Sequence, residues 1–248
     1  MTNNDSITID ASRAKLSATL AASIVLFAVS IVLWMQQSID HNIVISCNAV
    51  SDNKALHECC KLVSRYGMGL ISLLFSGFIA LSLKRESLSY HRPLFMFVLF
   101  AFATGSIAGD ILKELVGRAR PVVELAGVIA QTKLSDSSSF PSGHAAKSMS
   151  MALSFLIMAR TKDWLTGLFK LVTVLLAVLV CLSRVALQKH FPSDVIAGTA
   201  VALLFVFVAV FLVNAIYKKR RMNDALLVKM NKKYVFIFLG LAVVLAYI

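Results

Sequence analysis

The segment HFPSDVIAGTAVALLFVFVAVFLVNAIY, residues 190–217, places a histidine and an acid at the start of a long apolar run. Proline has the φ of a first helical turn and lacks the N–H that would be unpaired there, so Pro192 predicts a helix start. Asp194 then falls in the first turn, near the positive end of the helix dipole, where it can reach back to a ring nitrogen of His190. Such an acid either orients a reactive histidine or caps the helix beside a solvated one. The segment by itself leaves both interpretations open.

The composition of the whole chain is that of a membrane protein. Of its 248 residues, 58% are hydrophobic and 15% are charged, which gives more apolar surface than a soluble domain of this size can bury. The formal net charge of +12 is typical of cytoplasmic loops and of contacts with anionic headgroups. We therefore predict an integral membrane protein that is partnered by the bilayer and has no nucleic-acid partner.

Apolar runs long enough to span a bilayer recur along the chain and predict an all-α, polytopic helical bundle. The first run is longer than the core of a signal peptide and lacks a small-residue cleavage site, so we interpret it as a retained span. A last, shorter run at 234–248 either spans the membrane or lies at its interface. No repeat or linker divides the chain, so residues 1–248 are expected to form one membrane domain, with a basic loop and the extra apolar segment in 218–248. The six predicted core spans are 17–36, 66–83, 94–112, 144–159, 168–183 and 195–217.

Lysine and arginine are distributed unequally between alternate loops. With the amino terminus inside, one side collects most of these residues, including the dense loop at 218–233. The positive-inside rule assigns that side to the cytoplasm and assigns residues 113–144 and 184–194 to the external face. The conspicuous polar clusters of the chain are therefore expected on one face of the membrane.

The four cysteines and three of the histidines give only weak indications of a disulfide or a metal site. Cys47, Cys59 and Cys60 fall in the first external loop, where oxidation would allow Cys47 to pair with either of the others. Cys181 lies within a span and is expected to pack as a small apolar side chain. No spacing of cysteine and histidine suits zinc, so no metal site is expected. Three further histidines are expected to be loop or interfacial residues: His41, His57 and His91.

The outer end of the third span carries a basic cluster. Lys113 and Arg120 are two helical turns apart, so they share a face if the helix continues through Gly117. Pro121 disfavours helix at the preceding residue, so Arg120 is expected where the helix unwinds and its side chain can turn toward a ligand. Basic residues at a helix end also snorkel to headgroups, and this alternative stays open. Arg118 is off the shared face and is interpreted as a snorkelling or supporting residue.

A second cluster, Pro-Ser-Gly-His at 141–144, precedes the fourth span. Ser142 is a good N-cap residue, and Gly143 lets a ligand approach the backbone, so the free N–H groups of the helix start suit an anion such as phosphate. His144 then lies in the first turn, aimed at that anion. A plain helix cap with an interfacial histidine is the alternative. Lys147, one turn further on, either snorkels or contacts a second phosphate or a headgroup.

The third cluster is Ser183 and Arg184 at the end of the fifth span, followed by His190 and Asp194. The planar guanidinium of Arg184 offers paired donors that match phosphate oxygens. On the predicted external face, the three clusters together combine three cations, two histidines, one carboxylate and a helix start. Chance would rarely assemble such a set, so the combination favours a site for phosphate chemistry.

The three clusters resemble the signature of the type 2 phosphatidic acid phosphatase superfamily. In words, that signature is a lysine separated by six residues from Arg-Pro, then Pro-Ser-Gly-His, then Ser-Arg followed by a histidine and an aspartate. The resemblance covers 113–194, about a third of the chain. It implies a six-span core and a phosphatase that needs no metal or other cofactor, with its site at the external interface. The matching residues are Lys113, Arg120, Pro121, Pro141, Ser142, Gly143, His144, Ser183, Arg184, His190 and Asp194.

The resemblance also implies a role for each of these polar residues. His190 would attack phosphorus and form a phosphohistidine, while Asp194 fixes its tautomer. His144 would protonate the leaving oxygen and then activate water. The other matched groups would hold the equatorial phosphate oxygens: Lys113, Arg120, Ser142, the amide of Gly143, and Arg184.

A site at span ends suits an amphiphile whose phosphate reaches the interface while its chains remain in lipid. Undecaprenyl diphosphate, phosphatidylglycerophosphate, phosphatidic acid and the phosphates of lipid A all meet this condition, and the sequence does not separate them. Short loops without a eukaryotic-type glycosylation or retention signal favour a bacterial inner membrane. Two alternatives stay open. A phosphotransferase would pass the phosphate to a lipid acceptor, and a lipid-phosphate transporter would keep the cations without needing both histidines.

Overall fold

Every regular element is a helix in the computed structural model, which describes residues 7–130 and 137–247. Residues 131–136, part of the predicted external region, and residue 248, the end of the predicted last run, lie outside the described residues. In chain order the elements are α1 (Arg13–Met35), α2 (Gln37–Ser46), α3 (Asn48–Asp52), α4 (Lys54–Lys84), a 3₁₀ helix (Glu86–His91), α5 (Leu94–Val116), α6 (Pro121–Glu124), α7 (Gly143–Met158), α8 (Trp164–Ala186), α9 (Pro192–Lys219) and α10 (Asp224–Tyr247).

Within the described ranges, six helices are long and apolar enough to span a membrane: α1, α4, α5, α8, α9 and α10. The predicted all-α membrane bundle is therefore confirmed. α10 begins at Asp224, well before the predicted start at 234. α4 likewise begins at Lys54 rather than at 66, because the side chain of Asn53 accepts the N–H of Leu56 and caps the helix there. Hydropathy identifies the apolar part of a helix but not the polar turns at its start.

The predicted fourth span forms α7, which is too short to cross a bilayer by itself. Its 16 residues give a length of about 24 Å, against a hydrocarbon core of about 30 Å. Most of its side chains are buried, and it packs against α5, α8 and α9. Because protein rather than lipid surrounds α7, its length need not match the thickness of the membrane.

Aromatic side chains pack the centre of the bundle and hold α10 within it. The ring of Phe75, on α4, lies 5.0 Å from that of Phe169 on α8 and 5.7 Å from that of Phe155 on α7. Phe238 of α10 stacks on the same ring at 5.5 Å. Aromatic pairs of this kind each contribute about 0.5–1.5 kcal/mol beyond the burial of their area. The last helix is thus part of the core rather than an appendage at the interface.

His91 lies in the 3₁₀ helix that connects α4 and α5, which agrees with the predicted loop position. Its ring is buried there rather than solvated, with Nε2 3.0 Å from the hydroxyl of Thr166. His41 has a carboxylate partner that local spacing did not reveal, since its Nε2 lies 2.7 Å from Glu124 Oε1. Both partners are far along the chain, and only the packing of helices brings them to these rings.

All four cysteines are free thiols in this structure. Cys47 is therefore not joined to Cys59 or Cys60. Cys181 is buried within α8, in the apolar environment that the sequence predicted.

Candidate active site

The start of α9 carries the histidine and the acid of the 190–217 segment. The helix begins at Pro192, as predicted, and Asp194 Oδ2 accepts the N–H of Phe191 at 2.8 Å. The same oxygen lies 3.6 Å from His190 Nδ1, which is too long for a hydrogen bond. Both side chains are buried. Asp194 is therefore beside His190, as predicted, but does not hold it by a direct hydrogen bond.

Ser139 occupies the position between these two side chains. Its hydroxyl donates to Asp194 Oδ2 at 2.5 Å, and its oxygen lies 3.4 Å from His190 Nδ1. In the tautomer with hydrogen on Nδ1, the imidazole donates to Ser139, which in turn donates to Asp194. That arrangement leaves His190 Nε2 with its lone pair free. Ser139 was not predicted to have a role, because it is one of several serines in a loop.

Arg118 joins Asp194 to a second buried carboxylate. Its two terminal nitrogens donate to Asp194 Oδ1 and to Asp40 Oδ2, each at 2.8 Å. The side chain of Arg118 is 2% exposed and that of Asp40 is 0% exposed, so the snorkelling interpretation of Arg118 is wrong. Asp40 also accepts the N–H of Ser193 at 3.0 Å, and the guanidinium lies 4.1 Å from the ring centroid of Phe191. This network of hydrogen bonds holds Ser193 and Asp194, in the first turn of α9, in place.

Asp40 lies on α2, and sequence reasoning missed it. A signal was present, because an isolated acid directly after an apolar span has to find a partner if it is buried. The partner, Arg118, is 78 positions away. Nothing in the sequence pairs these two residues.

Lys113 and Arg120 do not share the face of one continuous helix, so that prediction is wrong. Arg120 does lie outside the helix, as predicted. Gly117 adopts φ +65 and ends α5 before Arg120 is reached. Arg120 is extended, and its guanidinium donates to the carbonyl of Ser137 at 2.8 Å and to that of Lys189 at 3.2 Å. Glycine adopts positive φ at little cost, so it commonly terminates a helix. The arginine is thus oriented by the loop before α7 and by the loop between α8 and α9.

The start of α7 presents free hydrogen-bond donors. Ser142 is the N-cap residue, but its hydroxyl makes no capping bond and is buried without a partner among the described residues. A Cβ atom on Gly143 would lie 3.6 Å from Lys113 Nζ, so the absence of a side chain leaves room beside this ammonium. One on Gly198 would lie 2.5 Å from the carbonyl of Ser142, which lets α9 pack directly against the helix start. The first N–H groups of a helix have no partner within it.

Arg184 lies at the end of α8 with its guanidinium held in place. It is 7% exposed, and one terminal nitrogen donates to the hydroxyl of Ser64 at 2.8 Å. Its Nε is buried and has no partner among the described residues. Arg184 and His144 both line a cavity of about 330 Å³. The buried unpaired donor and the cavity beside it leave a place for an anionic group.

The predicted cations surround His190 and affect its protonation. Burial of the imidazole lowers the pKa of His190 well below its ordinary value, and the nearby charges of Arg184, Arg120 and Lys113 lower that pKa further. Both effects favour the neutral form of the imidazole. A neutral imidazole with a free Nε2 is the nucleophilic form of histidine.

His144 shares this environment. It is close enough to interact electrostatically with Arg184, His190, Lys113 and Lys147. Lys147 is half-buried and adds a fourth cation to the region, so both of its predicted roles stay open. Across the described ranges, no group of three His, Cys, Asp or Glu side chains is arranged as metal ligands.

The fold and the site define a polytopic helical membrane protein with a cationic, histidine-bearing pocket at one end of the bundle. The cations, the free donors of a helix start and the neutral histidine together suit a phosphate group. The chain belongs to the PAP2 superfamily, whose family model matches residues 94–221, more than half of its length. The resemblance drawn from the three sequence clusters is thereby confirmed.

Relatives and a solved structure agree with this placement. Phosphatidylglycerophosphatase B of Bacillus subtilis (strain 168) is 33% identical over 119 residues, 45% of this chain and 54% of that protein. A PA-phosphatase related-family protein of Dictyostelium discoideum is 29% identical over 174 residues, 64% of this chain and 62% of that protein. The matched regions thus span about half to three fifths of these relatives.

The fold is similar to that of the first transmembrane PAP2 type phosphatidylglycerolphosphate phosphatase from Bacillus subtilis, solved as a crystal structure. The TM-score is 0.56 at 24% sequence identity, and the similarity covers 83% of this chain and 96% of that chain. This comparison supports the all-helical membrane fold.

Proposed function

We propose that this protein is an integral membrane phosphatase that hydrolyses the phosphate monoester or diphosphate of an amphiphilic lipid through a phosphohistidine intermediate. The observation that carries the proposal is the buried His190 near three cations, with its Nδ1 linked through Ser139 to Asp194. The names of the relatives support the same class of substrate, namely phosphatidylglycerophosphate and phosphatidic acid.

In the first step, His190 Nε2 attacks phosphorus and the bond from phosphorus to the leaving oxygen breaks. His144 donates a proton to that oxygen, which departs as a lipid alcohol, or as a lipid monophosphate when the substrate is a diphosphate. A bound phosphate anion beside His144 favours the protonated imidazole that this step needs. Positive charge develops on His190, and the buried carboxylate of Asp194 stabilises it through Ser139.

In the second step, water hydrolyses the phosphohistidine. His144, now neutral, takes a proton from the water as its oxygen attacks phosphorus. The bond between phosphorus and Nε2 breaks, inorganic phosphate leaves, and both imidazoles return to their starting states. The same two histidines therefore serve both halves of the reaction.

The cations hold the phosphoryl oxygens, on which charge accumulates in the transition state. Lys113, Arg120 and Arg184 neutralise that charge, and the hydroxyl of Ser142 and the N–H of Gly143 donate to it. Such donors are already oriented before the substrate binds, so no reorganisation is needed during the reaction. This set performs the task that a divalent ion performs in many phosphatases, and the activity is expected not to depend on one.

The test is phosphate release by the purified protein from a panel of lipids: phosphatidic acid, phosphatidylglycerophosphate, undecaprenyl diphosphate and lipid A. We expect release from at least one of them at a rate that EDTA does not change, because lysine and arginine supply the positive charge. Release that requires an added divalent ion would contradict the role of the cations. Phosphate that appears in water only when an acceptor lipid is left out would identify a phosphotransferase instead. Absence of turnover on every lipid, with lipid phosphate still bound, would favour a transporter.

The site faces the outside of a bacterial inner membrane in this proposal, because the basic 218–233 region belongs on the cytoplasmic side. In a variant that keeps Cys59 but has serine at the other two loop cysteines, Cys47 and Cys60, a membrane-impermeant thiol reagent is expected to label intact spheroplasts. Cys59 is exposed at the site end of α4. A cysteine at the exposed Lys229, through K229C, should react only after the membrane is permeabilised. The reverse pattern would overturn the orientation.

A further inference from the structure

The cavity beside the catalytic residues extends toward α4 and α10. His144 and Arg184 form one wall, while Lys61 and Arg65 of α4 and Tyr247 of α10 form the other. The second group lies outside residues 94–221, the part that matches the family model. Lys61 is paired with an exposed glutamate at 2.8 Å, an interaction that contributes little and exchanges readily. Lys61 and Arg65 therefore extend the positively charged lining of the cavity beyond the catalytic residues.

An apolar groove of about 440 Å³ runs between α4 and α10 from the same corner of the molecule. Tyr247 lines both the groove and the cationic cavity, so the two lie next to each other. A Cβ atom on Gly69 would lie 2.6 Å from the carbonyl of Ala242, which shows how closely the helices approach along the floor. The walls are aliphatic and half-exposed: Leu70, Leu73, Leu239 and Val243.

A cationic cavity followed by an apolar groove matches the order of parts in an amphiphile, which has a charged headgroup followed by hydrocarbon chains. A phosphate lies at the catalytic cations, the rest of an anionic headgroup meets Lys61 and Arg65, and the region beyond Tyr247 is hydrocarbon-like. We propose that the groove between α4 and α10 holds a hydrocarbon chain of the lipid phosphate substrate, which makes α10 part of the substrate site. This inference rests on the proposed function and adds to it the element that recognises the lipid chain.

The groove is expected to position the lipid substrate more than to increase the affinity of the protein for it. A lipid chain gains no hydrophobic free energy by leaving the bilayer for the groove, because both surroundings are apolar. Close packing along the groove would instead fix the chain and so aim the phosphate at His190. The effect should therefore appear in the preference for long-chain over short-chain substrates.

The test is V243W, which fills the groove, compared with V244W, which adds the same bulk to the adjacent position outside it. Val243 is 58% exposed and Val244 is 54% exposed, so the two variants are matched. In detergent, V243W is expected to lower kcat/KM for dioleoyl phosphatidic acid by about tenfold and to leave kcat/KM for a short, water-soluble phosphatidic acid unchanged. V244W should resemble the unsubstituted protein on both substrates. Equal effects of the two variants, or equal losses on both substrates, would overturn the proposal.

A binding measurement separates this proposal from the phosphatase assignment. In vesicles, phosphatidic acid with brominated chains is expected to quench the fluorescence of Y66W more than phosphatidylcholine with the same chains does, because Tyr66 lines the groove and the exchange of one aromatic ring for another leaves it open. V244W should be quenched equally by the two lipids. That result would support the groove even if no phosphate were released. Equal quenching of Y66W by both lipids would overturn the groove, whether or not the protein is a phosphatase.

Discussion

Replacing His190 by asparagine is expected to lower phosphate release by about 10⁴-fold or more, because the substitution removes the only nitrogen that can form the covalent intermediate. The amide of asparagine can still reach Ser139, so H190N should keep the local hydrogen bonds that H190A would lose. The measurement is the initial rate on the best lipid of the panel, together with trapping of radioactive phosphate on the protein under alkaline conditions. The unsubstituted protein should carry the label, and H190N should not.

Two further variants make the result specific. H57A changes another histidine, on α4 and outside the site, and should retain its rate. The rate of phosphate release by S139A should lie between the rates of H190N and H57A. In S139A, His190 keeps Nε2 but loses the hydroxyl that links Nδ1 to Asp194. Its phosphoenzyme should still form, more slowly. If H190N retained turnover, or if H57A lost as much activity as H190N, the assignment of the nucleophile would be wrong.

R118L is expected to be the most destabilising substitution near the site, lowering the free energy of unfolding by about 3–5 kcal/mol. Arg118 is the partner of two buried carboxylates, Asp40 and Asp194. Without it, each would remain in a medium of low polarity with no counter-charge, and the two would repel each other. The measurement is the thermal or denaturant-induced unfolding of the purified protein in detergent.

R160A is the matched control, since Arg160 also pairs with an aspartate, Asp10. That pair lies on the surface, with side chains 60% and 73% exposed, so its loss should cost at most about 1 kcal/mol. A double variant, R118L with D40N, should recover part of the lost stability by removing one of the stranded charges. If R118L unfolded no earlier than R160A, the buried network would not be holding α9 as described.

Local sequence features predicted the parts of the site that are themselves local. Pro192 fixes the first turn of α9, and Pro121 forces Arg120 out of helical geometry, because each acts on the backbone next to it. The local error within the site concerns Gly117. A glycine inside a helical pattern can continue the helix or end it, and the hydrogen bonds around Arg120 stabilise the second outcome here.

The groups that hold the candidate site residues in place were beyond local reasoning. Ser139 is one of several loop serines, and only the packing of α9 brings it to His190 and Asp194. The sequence left Arg118 either snorkelling or supporting, and its buried contact with Asp40 of α2 decides for the second role. The sequence also left open whether the last apolar run spans the membrane, and contacts with α4 place α10 in the core.

The sequence by itself determined that this chain is a helical membrane protein. It also predicted one site formed by six residues: Lys113, Arg120, His144, Arg184, His190 and Asp194. Hydropathy and helix starts depend on residues that are neighbours in the sequence, so they can be predicted from it. The three clusters are recognisable because they follow one another in a fixed order along the chain. The tertiary structure alone decided how that site is held. A buried serine links the histidine to its acid, a buried arginine bridges two carboxylates, and α4 and α10 border an apolar groove. These arrangements depend on burial and distance between residues far apart in the chain, which only the packing of the helices sets.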